Sequence, residues 1–332
     1  MPTLSSVRCC PNTAPRNPNL KILDCTIRDG GICNDWQFSH AFVQQTHRAL
    51  RDANIDYMEV GYRTQRGLFR LDDVGPWRFC KEEDLRATLS ESTMKLSTMV
   101  DVGRIDLQSI PPAQDTLIDV IRIATYAHQL EEAQYILDHA LEQGYETFMN
   151  VMAVSTLTPD EVDKFLIRLA GSGTHNVAIV DSFGSLFPHH IKSLVRQYRA
   201  RLGRDIKIGV HCHNNQQQAF ANSIAAIHEG VDFVDATLHG MGRGAGNCPL
   251  ELLLMYLNDN RFDIQPLLPL LETFASLKDE LRWGYQLPYA MTGHFNLHPR
   301  AGIDKMKTQD RNQIAEMYET YVKREIKKRK IV

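Results

Sequence analysis

No stretch of the 332-residue chain reaches the ~18 consecutive apolar residues that a membrane-spanning helix needs. No membrane contact is therefore expected. The N-terminus, MPTLSSVRCCPNTAPRNPN, lacks the apolar core of a secretory signal, and its prolines, asparagines and serines read as a flexible lead-in. No CxxC pair occurs among the seven cysteines, which stand at positions 9, 10, 25, 33, 80, 212 and 248. Their odd count and scatter predict free thiols and a reducing, cytoplasmic setting. Excess charge is also missing. The formal net charge is −3, so no general affinity for nucleic acid or anionic membranes is expected. Neither a Walker loop nor a GxGxxG after the first strand is present.

What remains is an ordinary soluble composition, 43% hydrophobic and 23% charged, with ample material for a core. From about residue 20 to 258, short apolar runs alternate with amphipathic segments. The runs are KILDCTI, YMEVGY, KLSTMVD, LIDVIRIATY, TFMNVMAVS, NVAIVDS, KIGVHCHN and FVDATLHG. Between several of them lie helical patterns ending at glycine, and one helix opens on TPDE, a cap followed by an N1 proline. Alternating strands and helices imply a parallel sheet, and eight such units predict an α/β fold of the (β/α)8 TIM-barrel type. A doubly wound open sheet is the runner-up. After residue 260 the pattern turns helical and aromatic. We therefore divide the chain into a lead-in (1–19), a catalytic barrel (20–261) and a C-terminal helical extension (262–332). The basic end of the last helix is read as a complement to the helix dipole.

Active sites of such barrels lie at the C-terminal ends of the strands. Strand one, read as LDCTIRDGG, is expected to end in Arg28 and Asp29, and strand six in Asp181 and Ser182. Strand seven ends in His211, Cys212 and His213. Two histidines two apart on a strand face the same side, and with Asp29 nearby they make a candidate divalent-metal site. Strand eight leads into GMGRGAGN, with four glycines in eight residues. Such a loop allows close backbone approach to a ligand or a tight turn. Asn247 at its end is read either as the cap of the next helix or as a metal ligand.

Taken together, DCTIRDG, VHCHNN and GMGRGAGNCPLE resemble the DRE-TIM metallolyases, in the expected order over residues 20–258. That superfamily includes hydroxymethylglutaryl-CoA lyase, isopropylmalate synthase and 4-hydroxy-2-oxovalerate aldolase. Wording such as IRIATYAHQLEEA, VDSFG and GYQLPYAMTG is most similar to the pyruvate-forming aldolases. The resemblance implies a metal-dependent carbon–carbon lyase acting on a 4-hydroxy-2-oxo acid through a pyruvate-type enolate. It also implies Mn²⁺ or Mg²⁺ held by Asp29, His211 and His213, with Asn247 at or beside the metal. By the same resemblance Arg28 stabilises the enolate, Ser182 contacts the substrate carboxylate, and Tyr285 is an active-site tyrosine. The expected partner is a small 2-oxo acid, in a homo-oligomer rather than a heteromer with an acylating dehydrogenase.

One position departs from the pattern. Where the aldolases carry a catalytic histidine, three residues after the metal aspartate, this chain has Ile32. Asp35, His128, His294 or a metal-bound water are the alternatives for the acid/base. Two further readings stand beside the aldolase: a Claisen-type transferase joining an acyl-CoA to a 2-oxo acid, and a non-catalytic metal-binding barrel.

Overall fold

A computed structural model describes residues 17–65, 67–69, 73–90, 92–307 and 314–329. Cys9, Cys10, most of the lead-in and Lys330 lie outside the described residues. The five described cysteines are all free.

Eight parallel strands close into a barrel in sequence order. They are β1 (Lys21–Asp24), β2 (Tyr57–Tyr62), β3 (Lys95–Asp101), β4 (Val120–Thr125), β5 (Glu146–Val151), β6 (Asn176–Asp181), β7 (Lys207–Cys212) and β8 (Phe233–Ala236). Closure is made by β1 against β8, with Ile22 opposite Val234 and Leu23 opposite Asp235. This excludes the open sheet.

The helices are α1 (Thr26–Gly30), α2 (His40–Asp52), α3 (Glu82–Thr88), α4 (Leu130–Glu142), α5 (Pro159–Ala170), α6 (Pro188–Leu202), α7 (Ala219–His228) and α8 (Leu250–Leu257). After the barrel come α9 (Leu268–Leu281), α10 (Leu287–His294), α11 (Arg300–Lys307) and α12 (Ile314–Arg329). The start of α5 follows its sequence. Thr158 accepts from the Glu161 N–H, Glu161 reaches back to Thr158, and Pro159 occupies N1.

The first strand is shorter than its alternation suggests. It stops at Asp24, and Arg28 and Asp29 ride on the single turn of α1 instead of a strand end. The cause is local. The Asp24 carboxylate accepts from the Thr26 N–H (3.0 Å) and the Thr26 hydroxyl (2.6 Å), which turns the chain. The Asp29 N–H then bonds the Cys25 carbonyl at 2.8 Å. Trp36 clamps the turn from outside, its Nε1 donating to the Arg28 carbonyl at 2.9 Å.

Inside the barrel, side chains two apart on a strand form successive layers. The floor is apolar: Leu23, Tyr57, Val120, Phe148 and Phe233 pack together. Gly209 of β7 lies against Phe233 and makes room for it. Two residues further along their strands stand Glu59, Arg122 and Asp235, all buried. The extension docks over one side of the C-terminal mouth. Asn296 exchanges two hydrogen bonds of 2.7 Å with Ser155, and Asn215 donates to the Tyr289 carbonyl.

Asp24 carries a pH dependence. Burial pushes its carboxyl up to about 7, against the pull of its bonds from Thr26. An unfolded aspartate titrates at about 3.9. Between those values the folded chain holds a proton that the unfolded chain has lost. The resulting stabilisation is complete below the unfolded value and vanishes as pH rises through the folded one. Urea unfolding at about pH 5 and about pH 8 should therefore show a smaller loss of stability for Asp24→Asn than for the parent chain. An equal loss in both would rule out the protonated Asp24.

Candidate active site

At the C-terminal mouth, ligand atoms of Asp29, His211 and His213 lie within 4.8 Å of one another, and all three residues are buried. Asp29 comes from α1 and His211 from β7, while His213 follows one residue after β7 ends. Each imidazole is oriented through Nδ1. His211 Nδ1 lies 3.0 Å from the Asp235 carboxylate, and His213 Nδ1 lies 3.2 Å from the Asp181 carbonyl. This leaves both Nε2 atoms for the cluster. His211 Nε2 is buried with no hydrogen-bond partner among the described residues. His213 Nε2 lies 3.7 Å from Asp29 Oδ2. Burial, and then the charge of Arg243, push the His213 imidazole well below its ordinary value, so it is neutral with a free lone pair.

Asn247 does not cap α8, because Pro249 precedes that helix. Its amide instead donates to Asp29 Oδ2 at 2.7 Å and to the Met241 carbonyl at 3.1 Å, while its Oδ1 is buried without a partner among the described residues. A carboxylate, two imidazoles and an orphaned amide oxygen form a donor set suited to a divalent cation. Cys25, His211 and Asp235 also come together. That second group reuses the His211 Nδ1 already engaged by Asp235, and burial raises the Cys25 thiol well above its ordinary value. It is therefore no competing thiolate site.

Arg28 sits beside the cluster, 5% exposed. It donates from Nη1 to Asp29 (2.6 Å) and from Nε to Glu59 (2.7 Å). Glu59 also accepts from Arg122 (3.0 Å), and Arg122 reaches Asp235 (2.5 Å). An unbroken chain of alternating charges thus runs from Asp29 through Arg28, Glu59, Arg122 and Asp235 to His211. Burial is the largest influence on Asp29 and works against its charge, but Arg28, together with the weaker pulls of His213, His211 and Arg243, holds the carboxyl well below the usual range. Sequence reasoning missed Glu59, Arg122 and Asp235. The clue was available: each is a lone charge at an inward position of an otherwise apolar, doubly covered strand.

The glycine loop closes on the same point. A Cβ at Gly242 would lie 2.1 Å from Asn247 Nδ2 and 2.6 Å from Asp29 Oδ2. Gly242→Ala is therefore expected to displace one of these groups and lower divalent-metal affinity by at least ~10-fold, a loss of the size expected for a misplaced supporting group. A calorimetric Mn²⁺ titration that shows unchanged affinity would contradict this packing.

The other predicted residues divide. Ser182 Oγ accepts from the Ala153 N–H at 2.8 Å, and the Ser182 carbonyl accepts from Arg243 at 2.5 Å, so Ser182 stands at the rim of the cluster. Tyr285 is 58% exposed and is not brought into the cluster. Tyr289, one turn on, is buried with its ring against the Gly244 position. Ile32 is half-buried and packs on the core. Asp35, His128 and His294 are all exposed, and none of them bonds the cluster.

Comparison with known proteins agrees with this architecture. A family profile described as HMGL-like matches residues 19–275. An oxaloacetate decarboxylase of Mycobacterium tuberculosis is 30% identical over 237 residues, covering 71% of this chain and 69% of the relative. A 4-hydroxy-2-oxovalerate aldolase of Thermus thermophilus is 30% identical over 244 residues, covering 71% and 68%. Among solved structures, the N-terminal domain of a Bacteroides vulgatus protein termed an aldolase superposes with a TM-score of 0.75 at 32% identity, over 90% of this chain and 100% of that one. A Bacillus subtilis HMG-CoA lyase, at 16% identity and a TM-score of 0.64 over 81% of this chain and 96% of that one, shares the fold.

Proposed function

We propose that this chain, which belongs to the HMGL-like family, is a divalent-metal-dependent carbon–carbon lyase that generates a pyruvate-type enolate from a 2-oxo acid. The observation that carries the reading is the contact between Arg28 and Asp29 within a buried Asp–His–His cluster. Asp29, His211 and His213 would hold the ion, with Asn247 either completing the set or orienting Asp29. Mn²⁺ and Mg²⁺ are the candidates, and the two imidazoles favour Mn²⁺. When bound, the ion supplies Lewis-acid polarisation of the substrate carbonyl.

Each residue of this chain then has a task. Arg28 places Nη2, its only group without a protein partner among the described residues, where negative charge grows on the enolate oxygen. Glu59 and Asp29 fix that guanidinium so that it need not reorganise during the reaction. The third carboxylate of the chain, Asp235, fixes the tautomer of His211. Ser182, whose Oγ accepts from the Ala153 N–H, stands at the rim where the substrate carboxylate would lie. A mere scaffold would need none of these groups, which weighs against a non-catalytic barrel.

The relatives' names offer two ways to reach the enolate. Retro-aldol cleavage of a 4-hydroxy-2-oxo acid needs a base to take the distal hydroxyl proton. Loss of CO₂ from a 3-carboxy-2-oxo acid needs none, because the leaving carboxylate is already ionised and its bond electrons become the enolate. Ile32 moves no proton, and this single departure favours keeping decarboxylation as the second reading.

Both readings share one test. With Mn²⁺ or Mg²⁺ and pyruvate in deuterated water, the methyl protons should exchange, as followed by NMR, and His211→Ala should abolish the exchange. Absence of exchange with every 2-oxo acid tried, in protein shown to hold metal, would sink both. If exchange occurs, supply of 4-hydroxy-2-oxopentanoate and of oxaloacetate separates the two routes by which one releases pyruvate.

A further inference from the structure

Arg28, Arg122 and Arg243 all bear on the residues of the cluster, and they are not alike. Arg28 and Arg122 each bond two carboxylates. Arg243, from the glycine loop, has no carboxylate within 4 Å of its guanidinium among the described residues. Its main-chain N–H approaches Asp29 Oδ2 at 3.4 Å, which roots the residue beside the cluster. Its Nη2 donates to the Ser182 carbonyl (2.5 Å) and comes within 3.5 Å of His213 Nε2. Its Nε is buried with no partner, and Nη1 has none among the described residues. An unpaired buried guanidinium is costly, and burial lowers its affinity for the proton. A position that holds such a group open, directed over the cluster, is built for an anion that the protein does not itself supply.

We infer that Arg243 is a specificity-determining residue that receives a second carboxylate of the substrate, on the half of the molecule away from the 2-oxo acid group. This deepens the enolate reading and rests on it: the lyase would act on a dicarboxylic 2-oxo acid in preference to one with a neutral tail. One guanidinium with a free edge matches a planar carboxylate through paired hydrogen bonds, whereas a doubly charged phosphate would call for more donors than this rim offers. The close approach of Nη2 to His213 places the second carboxylate only a few carbons from the carbonyl that faces the cluster.

The test compares tails of equal length. Equilibrium binding of 2-oxoglutarate and 2-oxopentanoate to the Mn²⁺-supplemented protein should favour the dianion by roughly 10- to 100-fold, the worth of a charge-assisted pair. Arg243→Gln should collapse that ratio towards one, and Arg243→Lys should retain part of it. Metal affinity is measured on each variant, so that damage to the cluster, which would weaken both ligands together, is told apart from loss of the preference. The same preference should appear in turnover, as faster pyruvate release at low substrate from 4-hydroxy-2-oxoglutarate than from 4-hydroxy-2-oxopentanoate. A dianion preference that is absent in the parent chain, or that survives in Arg243→Gln, overturns the assignment. The enolate reading is judged separately, by pyruvate exchange in the parent protein.

Discussion

Arg28→Ala is expected to slow metal-dependent exchange of the pyruvate methyl protons by roughly 10²- to 10³-fold, the size typical for removal of one preorganised donor at a developing oxyanion. Two facts make Arg28 the sensitive point. Among the described residues it is the only buried cation in hydrogen-bond contact with Asp29 through its side chain. It is also held on two sides, by Asp29 and Glu59, so its remaining edge is aimed without any reorganisation. The same burial complicates the variant. Removing one member of a buried ion pair costs about 3–5 kcal/mol, because the partner's charge is left uncompensated. Arg122 still bonds Glu59, which limits that loss. Arg28→Lys resolves the two effects. It keeps a charge beside Asp29 and Glu59 but loses the fork, so the fold and metal binding should persist while exchange stays slow. If Arg28→Lys and Arg28→Ala both bind metal and exchange protons at the parental rate, the oxyanion is stabilised elsewhere.

Asp235→Asn is expected to weaken Mn²⁺ binding by about 10- to 100-fold, although Asp235 does not belong to the proposed ligand set. Its Oδ2 is shared between Arg122 and His211. Burial disfavours its ionisation, but Arg122 and then His211 outweigh this and hold the carboxyl below its ordinary value. The ionised carboxylate fixes a proton on His211 Nδ1 and so leaves the Nε2 lone pair free. An asparagine carries no charge and cannot satisfy the guanidinium and the imidazole equally. Titration of Mn²⁺ by electron paramagnetic resonance reads the change directly. Unchanged affinity would mean that His211 is oriented by something other than Asp235.

Much of this arrangement could be read from local pattern. YMEVGY and KLSTMVD coincide with β2 and β3 residue for residue, because a strand buried on both faces reads as an apolar run. TPDE marked the start of α5 because a cap and an N1 proline are local devices. The HxH pair pointed to one side for the same reason, since alternation along a strand is a property of the backbone alone. The first strand misled. Leu23, Cys25 and Ile27 alternate with polar residues, yet the Asp24–Thr26 turn overrides the pattern within two residues. Tyr285 and Tyr289 show a different limit. Both lie in GYQLPYAMTG, and only the docking of α10 against the Gly244 loop buries one and leaves the other exposed.

The sequence by itself determined the strand and helix periods, the order of the three motifs and the departure at Ile32. All of these depend on residues near one another in the chain or on the identity of a single residue. The tertiary structure alone decided which charges face which. Asn247 meets Asp29 across 218 positions, and Arg122 meets Asp235 across 113. No local periodicity encodes such distances. Closure of β8 onto β1 brings the glycine loop over α1, and the inward alternation of each strand then stacks Glu59, Arg122 and Asp235 beneath the histidines. In that dry interior a lone charge is too costly to persist unpaired, so the two arginines within the stack each found two acids, and Arg243 at the rim was left open.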